Sequence, residues 1–297
     1  MAVPDMNKVP IVSGRTIRRL QRLSDGSVTV TLDLGLSHST VTLTADSVEL
    51  PQGYAVDREE MDEAWRHPED CVVLSEKGCV KVYLYSEERG KHYKLHHHEE
   101  DAAPTIIINN ATMHSIVRMG PWEDEVRKVE SLPRHQGSCL DTCCGLGYSA
   151  QLLAEAGFDR VITCEVDPNV LEIASVNPWS RGLFRRPTIE IQEADLRDYA
   201  AECPKNSFPL VFHDPPTVYQ AGELYSEELY REFARILEPG GVLYHYVGEP
   251  GRNRGQDYAG GVMGRLYTVG FRSTRRIHGG VLARWRPPTG ARGTTGQ

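Results

Sequence analysis

The chain has 297 residues, 40% hydrophobic and 25% charged, enough for one large or two smaller globular cores. No apolar run approaches the ~20 residues of a membrane span, and Met1-Ala2-Val3-Pro4-Asp5 lacks the basic-then-apolar order of a signal peptide, so a cytoplasmic protein with no membrane partner is expected. The net charge is −8, yet residues 258–297 hold seven arginines and no Asp or Glu; with that +7 set aside, the remainder carries −15. This balance argues against strong nonspecific nucleic-acid binding, while the basic C-terminal edge suits either an anionic substrate or a solvated outer strand.

Residues 1–115 read as a β-rich N-terminal domain. Ser27–Leu32, Thr40–Thr44 and Cys79–Tyr85 alternate apolar and polar side chains, as half-buried strands do. A short helix is expected near 57–66. Thr105–Ile108, an Asn109-Asn110 turn and Ala111–Met113 predict a hairpin. Met113-His114 closes that hairpin, with His114 read as a satisfied structural side chain. His96-His97-His98-Glu99-Glu100-Asp101 is expected to be an exposed polar loop, because no second ligand set is spaced for a metal. No metal site is expected elsewhere. The seven cysteines show no CxxC spacing, which points to reduced thiols.

A helix is expected from Pro121 to about Leu132, with proline in its first turn and Glu123-Asp124-Glu125 at its positive end. Beyond Cys139 the pattern alternates strand and helix. Strands are expected at 138–143, 160–165, 187–191, 208–213 and 241–247. Helices are expected at 148–156, 168–175, 195–201, 226–237 and 256–269, and a closing hairpin at 271–277 and 280–286. This predicts an α/β chain with a doubly wound, Rossmann-like seven-stranded sheet at 116–286, ahead of a disordered tail at 287–297.

Ligands of such sheets lie beyond the carboxyl ends of the strands. Asp141, Glu165, Asp195, Asp214 and Gly248 fall at or just past those ends. The densest signal is Leu140-Asp141-Thr142-Cys143-Cys144-Gly145-Leu146-Gly147-Tyr148, a strand running into a glycine turn and then a helix. Gly145 and Gly147 permit a sharp bend and close backbone approach to a ligand. Glu165 lies about 20 residues on, where a ribose diol is usually bound. Ala194-Asp195-Leu196 is placed to read an adenine edge. His213-Asp214-Pro215-Pro216 ends strand four. Gly251–Gly255 precedes a helix start, where anions bind or a solvated loop turns.

These segments resemble class I S-adenosylmethionine-dependent methyltransferases over roughly residues 115–286, and more closely a poorly characterised group of predicted archaeal methyltransferases. The resemblance is carried by Gly120-Pro121-Trp122-Glu123-Asp124, the 140–148 turn, Glu165-Val166-Asp167-Pro168-Asn169, Asn177-Pro178-Trp179-Ser180, Asp214-Pro215-Pro216 and Ala221-Gly222-Glu223-Leu224-Tyr225-Ser226. The β-rich N-terminal domain is also similar to that of aminopropyltransferases such as spermidine synthase. The resemblance implies S-adenosyl-L-methionine as cofactor, held by Trp122, Asp124, Asp141, Cys143, Gly145, Gly147, Tyr148, Glu165, Val166, Asp195, Leu196 and His213. It implies catalysis by Asp214, Pro215 and Pro216, since Asp-Pro-Pro resembles the motif of enzymes that methylate planar amino nitrogens. That motif's fourth, aromatic position is Thr217 here, so base stacking falls to Tyr219 or Tyr225.

Three functions stay open at this level. Methyl transfer to nitrogen leads. Aminopropyl transfer from the decarboxylated cofactor is second, favoured by the carboxylate-rich Glu123, Asp124, Glu125, Asp214 and Glu223 but disfavoured by the absence of an acid in the 143–148 turn. A non-catalytic binding protein on the same fold is third. RNA, a protein side chain and a small molecule are equally open as acceptor, and a homodimer is as compatible as a monomer.

Overall fold

The computed structural model describes residues 9–133, 136–248 and 257–287. The Gly251–Gly255 segment and all but the first residue of the 287–297 tail lie outside the described residues. The chain divides into two compact units. The first comprises the chain up to Val126 with Gly145–Gln151 and Asp167–Arg186, and the second comprises Arg127–Cys144, Leu152–Val166 and the chain from Pro187 onward.

The first unit is built on three small antiparallel sheets. Ile11–Ser13, Cys71–Ser75 and Gly78–Lys81 form one; Gly26–Val30, Ser39–Leu43, Ser47–Glu49 and Ala55–Asp57 form a meander; Tyr83–Ser86, Lys91–His96, Thr105–Ile108 and Ala111–Thr112 form the third. Val12, Ile17, Leu20, Val41, Leu43, Met61, Val72 and Leu74 bury their side chains in a shared core. Asn109 and Asn110 take φ of 45° and 67°, as a two-residue hairpin turn requires. The expected strand over Cys79–Tyr85 instead breaks at Val82. Lys81 pairs with Val72 in one sheet and Tyr83 with Lys94 in another, so the chain changes sheets within three residues.

This region also holds one helix that the sequence reading did not foresee and one expectation that needs correction. Gly14–Leu20 is a helix, capped by Ser13 Oγ accepting from the Thr16 amide, with Ile17 and Leu20 buried on one face. The histidine run is not an exposed loop: His96 ends a strand, and His97 is fully buried with its Nε2 on the Ala102 carbonyl at 3.0 Å. That carbonyl can only accept, so Nε2 carries the proton. Burial holds the His97 imidazole neutral, at a pKa of about 4.

In the second unit a seven-stranded sheet is formed by β1 (Ser138–Asp141), β2 (Arg160–Glu165), β3 (Ile189–Glu193), β4 (Phe208–His213), β5 (Leu237–Tyr246), β6 (Phe271–Ile277) and β7 (Gly280–Trp285). The order across the sheet is β3-β2-β1-β4-β5-β7-β6. The first five strands are parallel, and β7 pairs antiparallel with both β5 and β6. The strand order reverses between β1 and β4, which makes their carboxyl ends the switch point where such sheets bind ligands. Helix Leu196–Glu202 is capped by Asp195, Glu227–Ile236 by Ser226 and Tyr258–Val269 by Asp257. Leu229, Tyr230, Phe233 and Ile236 line one face of Glu227–Ile236 and join Leu140, Val211 and Leu243 in the core.

The glycine turn falls in the first unit, where its two glycines have different duties. Gly147 has φ +73°, and a Cβ there would lie 2.5 Å from Leu183 Cδ2. Gly145 has φ +54°, and a Cβ there would meet nothing within 4 Å. Gly147→Ala should therefore cost about 2–4 kcal/mol from backbone strain plus overpacking. Gly145→Ala should cost only about 1–2 kcal/mol of strain. Denaturant unfolding of both variants tests this; equal losses would remove the packing role of Gly147.

Candidate active site

The loops leaving β1 and β4 begin side by side, because Asp141 pairs with Phe212 across the parallel ladder. The Thr142 amide continues that ladder onto the Phe212 carbonyl at 3.0 Å, and the Cys144 amide reaches the Cys164 carbonyl of β2 at 2.8 Å. The loop after β1 is thus fixed to both neighbouring strands. Asp141 is fully buried, and its Oδ2 accepts from the Thr163 hydroxyl at 2.7 Å. Cys143 sits next in the loop, its thiol pushed far up by burial and so held protonated.

His213 joins the same two loops from beneath. Its Nε2 lies 2.9 Å from the Leu224 carbonyl, and its Nδ1 lies 2.7 Å from Thr142 Oγ1. A carbonyl only accepts, so Nε2 is the protonated nitrogen and Nδ1 accepts from the Thr142 hydroxyl. Burial holds this imidazole neutral, with a pKa lowered to about 4. His245 packs edge-on against it at 4.6 Å between ring centroids. Its own Nδ1 donates to the Tyr246 carbonyl and its Nε2 accepts from the Tyr230 hydroxyl, both at 2.7 Å. His245 is likewise neutral, driven well below the usual range by burial and then by His213. The pair forms a rigid polar floor rather than a proton relay.

Asp214 emerges from that floor with its side chain 17% exposed. Its Oδ2 accepts from Lys128 Nζ at 2.8 Å, whereas its Oδ1 has no hydrogen bond among the described residues. Lys128 is buried on helix Pro121–Glu130, with its ammonium 4.2 Å from the centre of the Tyr246 ring. Pro215 is buried and Pro216 exposed. The Pro216 carbonyl accepts from the Tyr225 hydroxyl at 3.0 Å. Tyr225 is only 7% exposed and packs on His245, so it anchors the loop, whereas Tyr219 is 70% exposed and meets Tyr258 hydroxyl to hydroxyl.

At the end of β2 Glu165 is half-buried and Val166 exposed. The Ala194 amide donates to the Glu165 carbonyl at 3.0 Å, fixing the turn after β3 against β2. Leu196 is buried. Asp195 caps its helix through the Arg197 amide, and both its oxygens also engage the Arg197 guanidinium, which holds its carboxyl below the usual range. Any contact from Asp195 to a ligand must therefore compete with Arg197.

The remaining predicted residues belong to the first unit. Trp122 lies edge-on to Tyr148 at 5.5 Å and 5.8 Å from Trp179. Tyr148 is fully buried; its hydroxyl donates to the Pro104 carbonyl and accepts from Asn177 Nδ2, each at 2.8 Å. Its function is to pin the glycine turn, so a direct ligand contact is not needed to explain it. Asp124 stands half-buried in the first turn of its helix. His114 accepts or donates at Thr105 Oγ1, 2.9 Å away, as a satisfied structural side chain. Lys128 is the site residue that sequence reading missed. Its helix was legible, but its partner lies 86 residues away, and only the apolar neighbours Val126 and Val129 hinted that this lysine faces inward.

The His213 imidazole yields a pH prediction. Its folded pKa lies below that of the unfolded chain, so the folded state binds fewer protons. The associated stability is full above pH 6.5 and is lost as pH falls toward 4, by at most about 3 kcal/mol. Denaturant midpoints at steps between pH 7 and pH 4 should show this loss in the wild type, with a shallower slope in His213→Asn, where His245 and His97 still contribute. Identical slopes would contradict a neutral buried His213.

Residues 139–241 match a family model described as a methyltransferase domain. An uncharacterized protein of Methanocaldococcus jannaschii is 46% identical over 176 residues, 59% of this chain and 60% of that protein. A polyamine aminopropyltransferase of Aeropyrum pernix is 30% identical over 177 residues, 58% of this chain and 49% of that one. The chain thus spans less than two thirds of the length of either relative. A spermidine synthase solved with the transition-state analogue AdoDATO superimposes with a TM-score of 0.54 at 20% identity, covering 70% of this chain and 76% of that one. Residues 139–241 are accordingly a match to the methyltransferase-domain family, carried on a sheet whose fold is shared with spermidine synthase.

Proposed function

We propose that the protein is an S-adenosylmethionine-dependent methyltransferase acting on a nitrogen nucleophile. The observation that carries this reading is Asp214, placed beyond β4 at the switch point, locked through Oδ2 and open at Oδ1.

The residues at the strand ends fit the cofactor. Glu165 ends β2 half-buried, a position from which a carboxylate can accept hydroxyl hydrogen bonds; Asp141 is fully buried, with its Oδ2 on the Thr163 hydroxyl. Asp141 therefore serves by holding the β1 loop in place. Val166, the exposed residue that follows Glu165, offers apolar contact. S-adenosylmethionine held by these residues would supply a sulfonium methyl group for transfer to the nitrogen lone pair, with the thioether as leaving group.

The protein's part is positioning and proton acceptance. Asp214 Oδ1 accepts a hydrogen bond from the N–H of the acceptor and then receives its proton. The Pro215 carbonyl is a second acceptor, because the Pro216 carbonyl is already occupied by Tyr225. Tyr219, exposed on the same loop, is the aromatic proposed to stack on the acceptor. Among known relatives, the aminopropyltransferases favour a second reading, aminopropyl transfer from the decarboxylated cofactor. No acid in Cys143–Tyr148 is present to hold the free aminopropyl ammonium, and that favours the intact cofactor.

Glu165→Ala should weaken S-adenosylmethionine binding at least tenfold in calorimetry, the effect of losing one to two charge-assisted hydrogen bonds. Unchanged affinity would remove Glu165 from the cofactor site. Asp214→Asn should leave that affinity nearly unchanged and lower single-turnover transfer by about 10²-fold or more. The acceptor needed for that assay is to be found by mass spectrometry of extracts incubated with the protein and isotopically labelled cofactor. Label in no product, or wild-type turnover in Asp214→Asn, would contradict the proposal.

A further inference from the structure

We infer that Lys128 is a specificity-determining residue that makes this site select an uncharged nitrogen acceptor and reject ammonium cations such as polyamines. The inference rests on the proposed methyl transfer at Asp214 and names the charge class of its substrate.

Two groups near the reacting position attract cations, the Asp214 carboxylate and the face of the Tyr246 ring. The ammonium of Lys128 occupies both, at 2.8 Å from Asp214 Oδ2 and 4.2 Å from the Tyr246 ring centre. The lysine side chain is 4% exposed, so the pair is largely removed from solvent screening. A surface lysine in this position would swing aside for a competing cation; a buried one has no solvated place to go. The carboxylate is therefore neutralised from within the protein. An ammonium group arriving at Asp214 Oδ1 would meet a carboxylate already compensated by Lys128, and would stand close to the like charge of that lysine in a poorly screened site.

An amino or amide N–H meets different conditions. It needs an acceptor oxygen rather than a net charge, and Oδ1 supplies one. A protonated amine also lacks the lone pair that attacks the methyl group, so excluding ammonium keeps unreactive forms out. The Lys128 contact further fixes the Asp214 carboxylate plane through Oδ2, which aims Oδ1 without a substrate present. Lys128 touches no reacting atom in this account; it acts through Asp214.

The test is isothermal titration of the full chain with putrescine and with spermidine. The wild type should show no saturable binding in the low-millimolar range. Lys128→Met keeps the length of the side chain and exposes the Asp214 charge; it should gain salt-sensitive putrescine binding at least tenfold tighter than the wild type. Adding Asp214→Asn to Lys128→Met should abolish the gain, and Lys128→Arg should behave as wild type. A gain confined to Lys128→Met and reversed by Asp214→Asn is an effect that merely loosened packing would not give. The wild-type titration stands alone if Lys128→Met fails to fold: saturable putrescine binding that Asp214→Asn removes would overturn the inference. A folded Lys128→Met with no gain would overturn it too, and would leave methyl transfer standing. Turnover of putrescine with the decarboxylated cofactor by the wild type would instead overturn the methyl-transfer reading along with it.

Discussion

The hydrogen bond from the Thr142 hydroxyl to His213 Nδ1 is the constraint on which the site depends. It ties the first residue after β1 to the last residue of β4, at the point where the strand order reverses. The two residues that leave this knot, Cys143 and Asp214, begin the turn toward the glycines and the Asp-Pro-Pro loop. The bond requires a neutral imidazole with its proton on Nε2, and burial together with the Leu224 carbonyl provides that state. His245 repeats the device one strand away, held by Tyr230 and the Tyr246 carbonyl. Two buried histidines with both ring nitrogens satisfied make a floor that holds its shape in the absence of ligand.

Above that floor Asp214 is paired with a buried cation. Lys128 neutralises Asp214 through one oxygen and leaves the other for a donor. Buried ion pairs of this kind add little net stability, since desolvation offsets the attraction. In the reading proposed here the pair orients the Asp214 carboxylate and excludes competing cations. The same fold serves aminopropyl transfer in spermidine synthase, so the sheet alone does not decide the chemistry. The decision falls to side chains at the strand ends, and at the end of β4 that side chain is a carboxylate already paired with a cation.

Much of the second unit was legible in the sequence because its strands are apolar runs bounded by turn and capping residues. Asp195, Ser226 and Asp257 each start a helix by accepting from an amide three or fewer residues on, a local rule visible in one dimension. Ends shifted by a few residues where the ladder, rather than the pattern, sets the boundary: β5 starts at Leu237 because Phe208 pairs with it. The first unit was harder. The Cys79–Tyr85 run alternates as one strand, yet it serves two sheets, and no local signal marks the change at Val82. Helix Gly14–Leu20 did carry a signal, the Ser13 cap followed by Ile17 and Leu20, masked by the surrounding strands and by a glycine in its first turn. His97 looked like one of three solvated histidines; the core around it is assembled from residues distant in sequence. Lys128 was invisible for the same reason. Capping and periodicity are local, whereas the pairing of a buried charge is decided by topology.

What remains central is which cofactor the strand ends accept. The intact compound carries a carboxylate that backbone amides of the turn can hold, and the decarboxylated one presents an ammonium that needs an acid. Competition calorimetry of S-adenosylmethionine against its decarboxylated form, on the full chain at one pH and salt, addresses this directly. The account predicts tighter binding of the intact cofactor. Tighter binding of the decarboxylated compound would contradict it and make this site an aminopropyltransferase.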